Sequence, residues 1–332
     1  MKFGPEALAR AFIAICALMM TTFSASAQDE SPAVPQTPLP WAYALNTPGV
    51  EPQQDDGMPK HVPGSKQAFT LSEIKNLYSA PDWHPDDHPE MPTIVAQGRN
   101  PGVYACGYCH LPNGQGRPEN TSLAGLPAEY IVQQMADYKA GLRRSSEPQS
   151  LPASFMLAIG ATATESEVAA AAAYFSSLTP RPWIRVIETD TVPETTVAGW
   201  MYVAVEDGGV EPIGERIIEM PEDLERTELR DFRSGFIAYV PTGSVDKGKE
   251  LVRSGGNGKT QPCGVCHGDD LKGLGPVPPL AGRSPSYLVR QLYDLQSGAR
   301  KGRWSPLMRA TVAQLTSEDY VAIAAYAASL DP

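Results

Sequence analysis

Cys106-Gly-Tyr-Cys109-His110 and Cys263-Gly-Val-Cys266-His267 are two copies of one motif, C-x-x-C-H, set 157 residues apart. That motif is the attachment signature of c-type haem. On the first turn of a helix, residues three apart share a face. Both thiols of a copy can therefore reach the vinyl edges of one porphyrin, and the adjacent His presents its imidazole to the iron. The pair predicts two covalently bound haem c groups, attached through Cys106, Cys109, Cys263 and Cys266, with His110 and His267 as proximal ligands.

The repeat extends beyond the motif. At the same offset Leu123-Ala124-Gly125 falls on Leu280-Ala281-Gly282, and the stretch Tyr130–Gly141 falls on Tyr287–Gly298. Apolar residues recur there at three- and four-residue spacing, which predicts an amphipathic helix. After a five-residue insertion in the first copy the offset becomes 152, and Ala172-Ala-Tyr174 pairs with Ala324-Ala-Tyr326. Glu165 and Glu318 fall in the first turns expected for these closing helices, where acidic residues suit the positive end of the helix dipole. Duplication also weighs against the other uses of C-x-x-C. A dithiol redox pair wants a strand–helix–strand setting, and zinc would need four ligands gathered from motifs far apart in the chain.

A second axial ligand must come from elsewhere. Met156 and Met308 are the only methionines that coincide between the copies, each in a Pro-containing segment expected to be irregular. A thioether is a soft, neutral ligand that favours ferrous iron and raises the potential. Met135 is matched by Leu292 and is expected to pack in the core.

With these motifs the chain resembles the tandem, two-domain class I cytochromes c of bacterial periplasms, over about residues 92–179 and 240–332. The resemblance implies an all-α fold: two homologous domains, each wrapping one haem between a proximal His and a distal Met. It implies an electron carrier. One departure stands out. In this family a Pro before the Leu of the middle stretch offers its carbonyl to the proximal His; the second copy has Pro278-Pro279-Leu280, whereas the first has Thr121-Ser122-Leu123. That hydrogen bond is not expected with the same security at His110. The first copy also lacks a full counterpart of the helix expected over Val245–Ser254.

The ends and the middle of the chain complete the domain plan. Lys2 and Arg10, the apolar run 11–20 and Ala25-Ser26-Ala27 have the order of a secretory signal peptide, so residues 1–27 are expected to be removed after Ala27 and the protein exported to the periplasm. Cys16 leaves with that segment, and every remaining Cys belongs to a haem motif. No other stretch has membrane-spanning length. Residues 28–90 form a Pro-rich arm, expected to be largely extended, with a capping box at Thr70 and Glu73. Within it, His84 and His88 lie among carboxylates. They admit three roles: a divalent-metal site, a replacement axial ligand, or a Pro-stiffened loop in which Trp83 packs on the domain. Residues 91–181 are the first cytochrome domain and 241–332 the second. Residues 182–240 form an acidic linker in which segments 199–205 and 214–220 suggest a short β-hairpin around Asp207-Gly208-Gly209.

The net charge of −11 argues against nucleic acid or an anionic membrane as partners. It favours redox partners with basic docking patches, a dehydrogenase as donor and an oxidase or other acceptor. The alternative is a dihaem enzyme, a peroxidase or a sulfur-compound oxidase, with an open or labile first haem. The absence of a spare Cys counts against a thiolate-ligated sulfur enzyme.

Overall fold

The computed structural model describes residues 39–46 and 54–332. The expected export segment, with its cleavage after Ala27, lies outside the described residues.

The first copy is built from short helices around one apolar cluster. Helix α1 (Leu71–Ile74) starts at Thr70, whose hydroxyl accepts from the Glu73 amide while the Glu73 carboxylate accepts from Thr70. This is the capping box expected at that point. Helix α2 (Thr93–Ala96) is a single turn, and α3 (Cys106–His110) carries the first motif. Helices α4 (Ala128–Lys139), α5 (Leu151–Thr162) and α6 (Glu165–Ser177) follow. Val95, Val103, Ile131, Ala172, Phe175 and Leu178 form the centre of the cluster.

The segment 182–240 is where an all-α reading fails. It holds seven short strands: β1 (Ile184–Glu188), β2 (Thr191–Pro193), β3 (Thr195–Ala198), β4 (Met201–Ala204), β5 (Val210–Pro212), β6 (Ile218–Pro221) and β7 (Phe236–Val240), with α7 (Leu224–Glu228) before the last. Strand β7 is central, parallel to β1 and antiparallel to β6. Its Phe236, Ala238 and Val240 are buried in alternation with half-buried Ile237 and Tyr239, the period-two pattern of a strand. The expected hairpin between 199–205 and 214–220 does not form. Gly199-Trp200 makes the turn instead, and β4 folds back on β3, while β6 takes β7 as partner. The alternation was real, but a local turn with Gly199 at φ 57° competed better than the longer loop at 207–209.

The second copy has the fuller helical frame: α8 (Ser244–Ser254), α9 (Gly264–His267), α10 (Pro285–Ser297), α11 (Ser305–Val312) and α12 (Ser317–Ala328). In α12 every residue from Asp319 to Ala328 is buried; a helix apolar on nearly all sides is a core helix. It crosses α8 so closely that a Cβ on Gly248 would collide with the Ala322 carbonyl. Both closing helices carry a capping box, Thr164 with Glu167 on α6 and Thr316 with Asp319 on α12.

The copies meet about a local two-fold axis. Arg143 and Arg300, equivalent at the 157-residue offset, pair with each other in an antiparallel bridge. Arg143 donates to Tyr287 and Gln291 of the second copy, and Arg300 donates to Tyr130 and Gln134 of the first. Each contact is the mirror of the other, as a two-fold interface requires. Asp294 likewise accepts from the Ser146 amide at 2.7 Å, and Asp137 from the Arg303 amide at 3.4 Å.

The arm is less free than its composition suggests. Apart from α1 and a 3-10 turn at Pro85–Asp87, residues 54–90 are irregular yet clamped. Trp83 is 1% exposed and its indole N–H donates to the Leu229 carbonyl at 2.7 Å. His84 Nε2 lies 3.0 Å from buried Asp231, and Arg233 grips Asp87 with two nitrogens. Among the described residues no helix is long and apolar enough to cross a membrane.

Candidate haem sites

The two motifs sit at corresponding places and share their backbone scaffold. After His110 the chain turns through Leu111 (φ 63°) and Gly114 (φ 71°); after His267 it turns through Gly268 (φ 82°) and Leu271 (φ 59°). Each copy thus needs left-handed backbone at the same two positions and spends glycine on a different one. The Gly116 amide donates to the His110 carbonyl at 2.9 Å, and Gly273 to His267 at 2.8 Å. Gly125 donates to the Phe175 carbonyl, and Gly282 to Ala327.

Both imidazoles are oriented from behind by a carbonyl. His110 Nδ1 is 2.9 Å from the Thr121 carbonyl, and His267 Nδ1 is 2.8 Å from that of Pro278. A carbonyl only accepts, so Nδ1 carries the proton and Nε2 keeps a lone pair for a metal. The expectation that His110 would hold this bond less securely is corrected: Thr121 stands where Pro278 stands, and the bond needs only the carbonyl, which Thr supplies equally well. Burial pushes His110 down to about 4 and His267 in the same direction, so both rings are neutral and able to ligate.

Burial also pushes Cys106 up to about 12, Cys263 to about 11, and Cys109 in the same direction. Neutral thiols suit addition to a porphyrin vinyl group to give a thioether. Among the described residues no group of three or more His, Cys, Asp or Glu side chains is arranged to hold a metal ion.

A cavity of about 370 Å³ opens beside the first motif, lined by Cys106, Cys109, His110 and Met156. The apolar residues Ile94, Leu126, Ile131 and Phe175 supply much of its wall, and Arg143 and Tyr287 stand at the interface side. A buried, largely apolar cleft with two thiols, one oriented imidazole and a thioether fits a haem. Met135 also lines this cavity, from α4. In the second copy Cys263, Leu280, Leu292 and Met308 pack against the second core; Leu292, the counterpart of Met135, has no ligand atom.

Both candidate distal residues lie on helices, contrary to the irregular segments expected. Met156 is on α5 and Met308 on α11, each helix with a Pro in its first turn, Pro152 and Pro306. Proline in that turn loses no intrahelical bond and presets φ for the helix.

His84 and His88 do not line the cavity. His88 Nε2 lies 3.2 Å from Asp82, and its Nδ1 is 3.1 Å from the Tyr174 hydroxyl, which donates to the Pro112 carbonyl at 2.6 Å. The structure gives both histidines a packing role that ties the arm to the first copy and to the 182–240 segment. The Arg143–Arg300 network was missed in the sequence, although its signal was present: Arg143, Gln134 and Tyr130 coincide with Arg300, Gln291 and Tyr287 at the repeat offset.

Known proteins share these features. A family model described as cytochrome c matches residues 99–179. Cytochrome c4 of Azotobacter vinelandii is 26% identical over 235 residues, 67% of this chain and 82% of that protein. Cytochrome c-554(548) of Halomonas halodenitrificans is 40% identical over 75 residues, 22% of this chain and 90% of its own length. A thiosulfate dehydrogenase electron acceptor of Stutzerimonas stutzeri is 25% identical over 236 residues, 70% of this chain and 82% of that protein. Among solved structures, a thiosulfate dehydrogenase from Marichromatium purpuratum aligns with a TM-score of 0.48 and 26% identity, covering 71% of this chain and 38% of that one. With its doubled C-x-x-C-H scaffold and these relatives, the chain belongs to the dihaem class I cytochrome c family.

Proposed function

We propose that this chain is a periplasmic dihaem electron carrier, taking single electrons from a dehydrogenase and passing them to an oxidase or other acceptor. The observation that carries this reading is the matched pair of neutral imidazoles, each locked by a backbone carbonyl and each matched by a methionine at the same place in its copy. Two haems bound there would supply two one-electron ferric/ferrous couples. The chain's own residues would bind, orient and shield the haems: Cys106, Cys109, Cys263 and Cys266 would anchor them, and His110, His267, Met156 and Met308 would be the protein ligands to iron. No side chain is asked to move a proton. On this reading residues 91–181 and 241–332 are the two cytochrome domains, 28–90 an arm and 182–240 an insert. Two relatives are named thiosulfate dehydrogenase electron acceptors, and a donor dehydrogenase is the same arrangement.

The test is a count followed by a titration. The purified exported protein should show two haem c by pyridine haemochrome and by intact mass, and should take up two electrons in an anaerobic reductive titration. Steady peroxide turnover, or a first haem that binds cyanide as readily as an open site, would favour the enzyme and defeat the carrier.

A further inference from the structure

Three equivalent positions frame the edge of each haem site, and they differ between the copies. Inside the motifs, Tyr108 is 6% exposed and its counterpart Val265 is 70% exposed. In the loop that follows, Arg117 is 5% exposed and Leu274 is 61% exposed. Before the methionines, Phe155 is half-buried and Leu307 is 76% exposed. In every case the 182–240 insert contributes to the cover over the first copy, beside Tyr104 on Phe155 and Glu119 on Arg117 from the copy itself. Arg230 donates to the Tyr108 carbonyl at 2.8 Å and lays its guanidinium 3.7 Å from the Tyr108 ring centre. Met201 receives Arg117 Nη2 at 2.9 Å, and Trp200 packs edge-on against Phe155 with centroids 6.4 Å apart.

The arm closes the same site from another side. A Cβ on Gly107 would lie 3.1 Å from Ala80 and 2.9 Å from the Val95 carbonyl, whereas one on its counterpart Gly264 would meet only its own neighbour Asp269, at 3.4 Å. Lys75, Leu77, Trp200 and Arg230 themselves line the first cavity. Trp200 and Arg230 hold left-handed backbone, φ 62° and 61°, a conformation that bulky residues keep only where surrounding structure enforces it.

Charge is divided along the same line. Residues 241–332 contain 11 Lys and Arg against 8 Asp and Glu, a net +3, in a chain of −11. The acidity that suggested a basic partner therefore lies outside the second copy.

We propose that the insert and the arm seal the first haem against partners. The Cys263–His267 turn, with Val265, Leu274 and Leu307, is then the single port at which a redox protein docks through an apolar contact rimmed by carboxylates. This rests on the two-haem carrier reading. The exchange is one electron, from ferrous iron to the partner's oxidised centre, with no bond broken and no proton moved.

The test uses the fully reduced holoprotein mixed by stopped flow with excess hexacyanoferrate(III), an anionic oxidant. Val265→Glu combined with Leu307→Glu should slow oxidation of both haems about tenfold, because like charge at the only port repels the probe. Arg230→Ala with Trp200→Ala in that background should restore much of the rate by uncovering the first haem. The wild-type rate should fall as salt is raised. A rate reduced no more than twofold by the double Glu variant would show that the first haem is reached directly and would overturn the seal. A wild-type rate that rises with salt would overturn the acidic partner. Failure of the carrier reading is distinct: the static spectrum before mixing would then show fewer than two oxidisable haems.

Discussion

Tyr108 and Val265 occupy the same place in two copies of one motif, yet one lies beneath Arg230 and the other faces solvent. The motif repeats the chemistry, and what surrounds it does not repeat. The cofactor-holding frame agrees between copies down to single backbone hydrogen bonds, such as Gly116 to His110 and Gly273 to His267. The packing frames differ. In the second copy α8 crosses α12 at Gly248, a helix pair the first copy lacks, although its core also takes in Ala42 and Tyr43 of the arm and Ile217 and Val240 of the insert. In the first, α2 is one turn, and outside material packs around it: the arm through Ala80, the insert through Trp200 and Arg230, and Trp304 from the other copy. Both copies lean on the arm and the insert, but the second keeps the α8–α12 pair as a frame of its own.

That contrast can be broken residue by residue. Trp304 belongs to the second copy by sequence but packs in the first core, stacked on Tyr130 with centroids 6.4 Å apart. Trp304→Ala should cost about 3 kcal/mol, read by denaturant unfolding of the holoprotein, and should disturb the spectrum of the first haem. An effect confined to the second haem would show that the first copy does not depend on borrowed packing.

Gly248→Ala strikes the opposite arrangement. A methyl group there meets the Ala322 carbonyl, so overpacking should cost about 2–3 kcal/mol. The loss should appear in hydrogen exchange of α8 and α12 while α4 and α6 keep their protection. Equal loss across both copies would erase the claim that α8 and α12 form a packing unit of their own.

Symmetry at the dyad makes a paired prediction. Arg143→Ala takes its donor from the Tyr287 hydroxyl and Arg300→Ala from that of Tyr130, while Gln134 and Gln291 each keep the other arginine, at about 1 kcal/mol each. The two values should agree within error, and the double variant should cost more than their sum because only it leaves both Gln without an arginine donor. Capping boxes provide the smallest matched pair. Thr164→Ala and Thr316→Ala should each cost about 1 kcal/mol in thermal unfolding.

Only the first copy should carry a histidine-linked pH dependence through the arm. Burial alone would lower His88, but the Asp82 carboxylate and the Pro89 carbonyl override it and its pKa is raised. A group raised on folding contributes fully below its ordinary value of about 6.5 and loses that contribution as pH climbs through the raised pKa. Thermal stability should therefore fall modestly from about pH 6 to pH 8 in the wild type, and His88→Asn should flatten that slope.

The motif turns and the closing helices could be read from sequence because their signals are local. C-x-x-C-H has fixed spacing, and Thr164-x-x-Glu167 caps its own helix. Tyr130 and Tyr287 were visible as a repeat, but their exchange of Arg300 and Arg143 was not, since residues far apart in sequence declare no partner. The seven strands of 182–240 were read as one hairpin because short strands satisfied by distant neighbours, such as β1 beside β7, leave only weak alternation. Helices around Met156 and Met308 were hidden by Pro152 and Pro306, which read as breakers when they are first-turn residues. The carbonyl on His110 was doubted because Thr121 replaces a proline, although the interaction belongs to the backbone.

Near-infrared magnetic circular dichroism of the ferric holoprotein, quantified per iron, tests the central claim most directly. Two His/Met haems in equal amount, with the sulfur-to-iron band halved by Met156→Ala and halved likewise by Met308→Ala, is the predicted result. One His/Met haem beside a high-spin or bis-histidine partner would contradict the account of two like-ligated sites in unlike surroundings.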